Sequence, residues 1–169
     1  SRGLGKDMAM SLVGKGIDVI ITYRSKEDEA LNCVSSIEAL GRKAAAIHLD
    51  MSDFSSLPAF VQTVRDTLQQ KWNTGQFDFL INNAGMGATV PFMEVTEAVF
   101  NDFLNVHFKS IYFLTQHCVP MMNHGGRIIN ISTGTTRFSN PGYSVYASMK
   151  GAIEVFTKYL AKELGSRGL

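Results

Sequence analysis

Four short apolar runs, separated by longer segments of helical period, set the strongest constraint on what this chain can fold into. The runs cover residues 18–23 (DVIITY), 43–50 (KAAAIHLD), 77–85 (FDFLINNAG) and 126–133 (GRIINIST). They are apolar on consecutive positions and bounded by glycine or polar residues, the pattern of strands covered on both faces. Residues 6–15, 26–40, 55–72 and 96–122 repeat their apolar positions at helical spacing, and 144–165 is a further amphipathic segment with Gly165 as its stop. Strands alternating with helices need right-handed crossovers. The expected architecture is therefore α/β, a doubly wound, mostly parallel sheet with helices on both faces. Internal repeats and linker-like composition are absent, so residues 1–169 read as a single domain.

Composition excludes several classes of partner. Sixteen basic and fifteen acidic residues leave a formal charge of +1, which gives no broad field for nucleic acid or a membrane surface, although a small anion bound locally fits. Cys33 and Cys118 lie far apart without metal-ligand spacing, so no metal site or disulfide framework is expected, and both read as small buried apolar side chains of a reducing cytoplasm. No apolar run approaches the ~20 residues that span a bilayer, and the chain reads as soluble and cytoplasmic.

Ligands of such sheets bind beyond the carboxyl ends of the strands, which directs attention to the residues there. Ser1, Arg2, Gly3, Leu4 and Gly5 precede a helical segment; the glycines admit a pyrophosphate to the free N–H groups of the helix start, or form a plain loop. Tyr23, Arg24 and Ser25 end the next strand without an acid. An arginine at that tip accommodates a ribose 2′-phosphate where a carboxylate would bind the ribose hydroxyls, so the pattern points to NADP over NAD, with NAD(H) the alternative. The bland reading of Arg24 is a solvated charge. Asp50 is placed to accept from an adenine amino group while Met51 packs on the ring, or Asp50 caps the following helix. Asn82, Asn83, Ala84 and Gly85 end the third strand, either admitting a flat ligand or making a tight turn.

The segment YSVYASMK adds a chemical pairing. Tyr146 and Lys150 stand four apart, on one face of a helix with Cβ atoms ~6 Å apart, whereas Tyr143 has Ala147 at that position. A free phenol titrates near ~10, and a nearby cation favours its ionised form, the pairing that proton transfer near neutrality calls for.

Together SRGLG, NNAG, NVHFKS, RIINIST and YASMK occur in an order and spacing that resemble the short-chain dehydrogenase/reductases carrying the Y-x-x-x-K signature, over essentially the whole chain. The resemblance implies a Rossmann-like sheet binding a nicotinamide dinucleotide, and hydride transfer between NADP(H) and a carbonyl or secondary alcohol. It implies Tyr146 as proton donor and acceptor and Lys150 as its partner and as the group holding the nicotinamide ribose. Asn105, in NVHFKS, is the match for an asparagine that holds a water joining the lysine to solvent in a proton relay; the other reading of its amide is a structural hydrogen bond to a neighbouring strand. The usual serine, thirteen residues before the tyrosine, is here Thr133, whose methyl crowds the substrate side; strand alternation sets Ser132 on the opposite face.

The same resemblance implies a homodimer or homotetramer built on the two long helices, a small-molecule carbonyl or alcohol partner, and a first strand, last strands and substrate lid not found in these residues. His48, His107 and His117 read as structural histidines, and Trp72 as core or interface. The alternative function is a catalytically weak NADP-binding regulator of the same fold.

Overall fold

The computed structural model describes residues 3–169, so Ser1 and Arg2 of the expected glycine loop lie outside the described residues. The chain divides into two compact units, residues 1–50 with 55–75 and residues 51–54 with 76–169.

In the first unit, α1 (Gly3–Val13) leads to β1 (Val19–Tyr23), α2 (Glu27–Ala39), β2 (Ala44–His48) and α3 (Leu57–Trp72). β1 and β2 pair in parallel, Val19 opposite Ala44 through Tyr23 opposite His48. Their core is Ala9, Val13, Ile21, Ala30, Cys33, Ile37 and Ala44. α2 contributes Ala30, Cys33 and Ile37 at helical spacing, and its first turn carries Glu27, Asp28 and Glu29, which complement the positive end of the helix dipole. α3 buries Leu57, Phe60, Val61, Val64 and Leu68, a single stripe laid on β2. Trp72 is tied to this unit by its indole N–H, which donates to Asp18 Oδ2 at 2.8 Å.

The second unit holds β3 (Phe77–Asn82), α4 (Glu97–Leu104), α5 (Ser110–Cys118), β4 (Met122–Asn130) and α6 (Ser144–Glu163). β3 and β4 are parallel, Leu80 opposite Ile128 and Asn82 opposite Asn130, with an irregularity between Phe77 and Phe79. Thr96 caps α4 by accepting from the Val99 N–H at 3.3 Å.

Three expectations need correction. Residues 96–122 are not one regular helix. A π-helical segment, Asn105–Lys109, interrupts the α-helical ladder, and a 3₁₀ turn closes the segment at Val119–Met121. The strands of the second unit are not evenly buried, since Phe79 on β3 and Ile129 on β4 are each 44% exposed. β4 ends at Asn130, so Ser132 and Thr133 lie beyond the strand, where its alternation of faces no longer applies. Among the described residues no helix is long and apolar enough to cross a membrane, and Cys33 and Cys118 are both buried.

Candidate active site

A crevice of about 420 Å³ opens in the second unit at the ends of β3 and β4. It is lined by Asn83 and Gly85 after β3, Ser132 and Thr133 after β4, and Tyr143, Tyr146 and Lys150 at the start of α6.

α6 supplies the pair expected from its spacing. Lys150 is 3% exposed, and its Nζ lies 5.9 Å from the centre of the Tyr146 ring. A buried ammonium requires compensation, and Nζ donates to the Ile131 carbonyl at 2.7 Å. Burial holds its pKa below the ordinary lysine value. One turn further, Glu154 Oε1 accepts from Ser132 Oγ at 2.6 Å and from Thr136 Oγ1 at 2.8 Å. These hydrogen bonds hold the Glu154 carboxyl below the usual carboxylate range.

Thr133 sits between these anchored positions. Its Oγ1 caps the 3₁₀ turn Gly134–Thr136 by accepting from the Thr135 N–H at 3.3 Å, and it lies 3.2 Å from Thr135 Oγ1. An acceptor engaged this way keeps its own proton for donation. Ser132, already committed to Glu154, also lines the crevice.

The first asparagine of NNAG is structural. Asn82, 5% exposed, donates from Nδ2 to Asn130 Oδ1 at 2.8 Å and to Thr115 Oγ1 at 3.1 Å, joining β3 to β4 and α5. Asn83 and Gly85 reach the crevice; Ala84 and Asn105 are not among its lining residues.

His107 also lines the crevice. It is 1% exposed, stacks on Phe103 at 5.5 Å and meets Tyr146 edge to face at 5.1 Å between ring centres. Its Nε2 lies 2.8 Å from the Met86 carbonyl oxygen. Desolvation, with the nearby Lys150 charge, lowers its pKa to about 4 against the opposing Met86 hydrogen bond. The sequence carried a signal for this residue. Phe103, Val106, His107, Ser110, Ile111, Leu114, Thr115 and Cys118 are all buried and recur every three or four positions; Asn105 falls off that stripe.

A second cavity of about 270 Å³ shares Thr135 and Tyr143 with the first and is walled by Phe92, Pro141 and Gly142.

The remaining candidates stand in other places. In the first unit, Gly3 opens α1 at φ +52, with open space where a side chain would stand, followed by exposed Leu4 and half-buried Gly5. Tyr23 ends β1 and donates from its hydroxyl to Glu27 Oε1 at 2.9 Å, a bond that raises its pKa. Arg24 and Ser25 follow, both exposed. Arg24 Nε pairs with Asp50 Oδ2 at 3.3 Å, the two side chains being 65% and 28% exposed. Met51 belongs to the second unit; it is buried, and its carbonyl accepts from Ser110 Oγ at 2.7 Å.

The family model for short chain dehydrogenases matches residues 1–169. Hydroxynaphthalene reductase arp2 of Aspergillus fumigatus is 31% identical over 167 residues, covering 99% of this chain and 59% of that protein. A short-chain dehydrogenase/reductase of Pestalotiopsis microspora, GME11373, is 35% identical over 169 residues, covering 98% of this chain and 61% of its own length. Among solved structures, the landomycin C-6 ketoreductase LanV with bound NADP and rabelomycin superposes with a TM-score of 0.95 at 31% identity, covering 98% of this chain and 68% of its own. A Burkholderia cenocepacia short chain dehydrogenase in complex with NADP gives 0.89 at 34%, covering 99% and 66%. The chain belongs to the short-chain dehydrogenase family, with the Rossmann-type α/β fold of those structures. It spans about three fifths of the length of the curated relatives it matches.

Proposed function

We propose that this protein reduces a ketone to a secondary alcohol with NADPH. One observation carries the reading. Tyr146 and Lys150 stand one helical turn apart in the wall of a single crevice that also contains the Thr133 hydroxyl. The residues present fit a nicotinamide cofactor. The crevice offers a buried ammonium with two N–H groups beyond the one given to Ile131, together with the Asn83 amide. When bound, the reduced nicotinamide supplies hydride to the carbonyl carbon.

The chain's own residues account for the proton and the charge. The Tyr146 hydroxyl gives its proton to the carbonyl oxygen as negative charge develops there, and the Lys150 ammonium stabilises the oxygen left behind. The Thr133 hydroxyl donates to the same carbonyl oxygen and holds it toward Tyr146. Preference for NADPH over NADH rests on Arg24. The Arg24 side chain is exposed and its pair with half-buried Asp50 lies at the surface, where such pairs are worth ~0–1 kcal/mol, so a phosphate recruits the guanidinium at little cost.

For the substrate we propose a hydroxylated fused-ring ketone. Two features support it: the second cavity, adjoining Tyr143 and walled by Pro141 and the 75%-exposed Phe92, suits a flat apolar ring, and a similar protein is a hydroxynaphthalene reductase. The test is NADPH oxidation across a panel of fused-ring and aliphatic ketones. Turnover of the former that Tyr146→Phe abolishes is the expected result; tight NADPH binding with no turnover of any ketone would overturn it.

A further inference from the structure

Tyr143 stands where the two cavities meet. It lines the crevice that holds Tyr146 and Lys150, and it lines the second cavity beside Phe92 and Pro141. At about 270 Å³ the second cavity falls short of the ~300–1,000 Å³ usual for a self-sufficient small-molecule site, whereas the crevice, at about 420 Å³, lies within that range. With a wall shared between them, the smaller space extends the larger one. A molecule reacting at Tyr146 then has room to continue past Tyr143.

The backbone that carries Tyr143 is fixed on both sides. Gly142 has φ +82, in the left-handed region, and a Cβ there would stand 2.5 Å from Thr89 Cγ2, so a glycine lets this segment close on residues 89–90. The Gly142 carbonyl accepts from the Val90 N–H at 2.9 Å. On the other side, the Tyr143 carbonyl accepts from the Ala147 N–H at 2.8 Å as α6 begins. The Tyr143 ring meets the Tyr146 ring edge to face at 6.2 Å between centres, which sets its distance from the reacting group.

The groups around the junction select what passes it. Unlike the Tyr23 hydroxyl, that of Tyr143 has no hydrogen-bond partner among the described residues, so its proton is available to a ligand. Charged residues are absent from the lining of the second cavity, whose polar members include Ser139, Asn140 and Ser144. A phosphate or carboxylate would find no cation there to offset its lost hydration. A neutral ring bearing an oxygen finds apolar contact and a donor.

We propose that Tyr143 is a specificity-determining residue: its ring is the partition against which a substrate's second ring packs, and its hydroxyl donates to a neutral oxygen carried on that ring. This rests on the ketone-reductase reading above, which places the reacting carbonyl of the first ring beside Tyr146. A one-ring ketone reaches Tyr146 without engaging this hydroxyl.

The test uses the full-length enzyme with NADPH and three ketones: a two-ring ketone with a hydroxyl on the ring away from the carbonyl, the same ketone without that hydroxyl, and a one-ring ketone. Tyr143→Phe removes the phenol oxygen and keeps the ring, while Tyr143→Ala removes both. The unmutated enzyme should prefer the hydroxylated ketone over its plain counterpart in kcat/KM. Tyr143→Phe should shrink that preference roughly three- to tenfold, through KM, because the contact is present before and during the reaction. Tyr143→Ala should also erode the preference for two rings over one. A preference ratio that is the same in the unmutated enzyme and Tyr143→Phe overturns the proposal. So does a Tyr143→Phe variant with kcat lowered alike for all three ketones, the mark of a disturbed Tyr146. Calorimetric titration of the NADP-loaded protein with a dihydroxynaphthalene and the matching naphthol reads the contact without turnover: tighter binding of the diol, lost in Tyr143→Phe, supports it, and a difference that survives the substitution overturns it. The two readings fail separately. Turnover that Tyr146→Phe abolishes, with an unaltered ratio in Tyr143→Phe, removes only the role of Tyr143, whereas the binding difference without turnover of any ketone removes only the reductase reading.

Discussion

Ser132 Oγ donates to Glu154 Oε1 at 2.6 Å, and Thr136 Oγ1 joins the same oxygen at 2.8 Å. Together with the bond from Lys150 to Ile131, these contacts pin residues 131–136 to α6 on both sides of Thr133. The consequence concerns geometry, for Glu154 is not among the residues lining the crevice. Glu154→Ala should lower kcat roughly tenfold by letting the Thr133 hydroxyl wander, since small misplacements of a reacting group are expensive. In a Thr133→Ala background the same change should cost almost nothing more. Additive losses in that double-mutant cycle would show that Glu154 does not act through Thr133.

Thr133 itself is tested by size and by hydroxyl. Thr133→Ser keeps the donor and removes a methyl, and it should preserve turnover while widening the range of ketones accepted. Thr133→Ala should reduce kcat by about 10²–10³, the usual effect of losing one donor to a developing oxyanion. An alanine variant as active as the unmutated enzyme would exclude Thr133 from the reaction.

Cofactor choice hinges on Arg24. Arg24→Asp removes the guanidinium and sets a second carboxylate beside Asp50. The KM for NADPH should rise roughly 10- to 100-fold, the loss of one charge-assisted contact worth ~1.5–3 kcal/mol, while that for NADH falls. Steady-state titrations with both cofactors measure this, and an unchanged ratio would mean that Arg24 does not read the phosphate.

His107 makes stability depend on pH with a definite sign. Its pKa falls from 6.5 to about 4 on folding, chiefly through burial. Between those values the unfolded chain binds a proton that the folded protein does not, so stability is lost as pH falls through that window and levels off below it. The loss is about 3 kcal/mol at most. Urea unfolding at a series of pH values should follow this slope, and His107→Phe should flatten it above about pH 5, where Glu154, whose depressed carboxyl acts in the same direction, has little effect.

Asn82 is expected to matter for stability. Asn82→Ala leaves Asn130 Oδ1 and Thr115 Oγ1 without their shared donor. The cost should be about 1–3 kcal/mol in chemical denaturation. A loss below a few tenths would mean that water replaces the amide without penalty.

Periodicity in the sequence determined the parallel strand pairs, the helices between them and the Tyr146–Lys150 face of α6, because each follows from chain-local spacing that packing had no reason to override. The same spacing runs through buried His107, while Asn105 is half-buried beside the stripe. Tertiary structure alone decided where β4 stops, that Ser132 is held by Glu154 while Thr133 stays available, and that Arg24 meets Asp50. Those outcomes depend on groups 22 and 26 residues apart in the chain, and no local preference of the backbone specifies which distant side chain a polar group finds when the chain closes on itself.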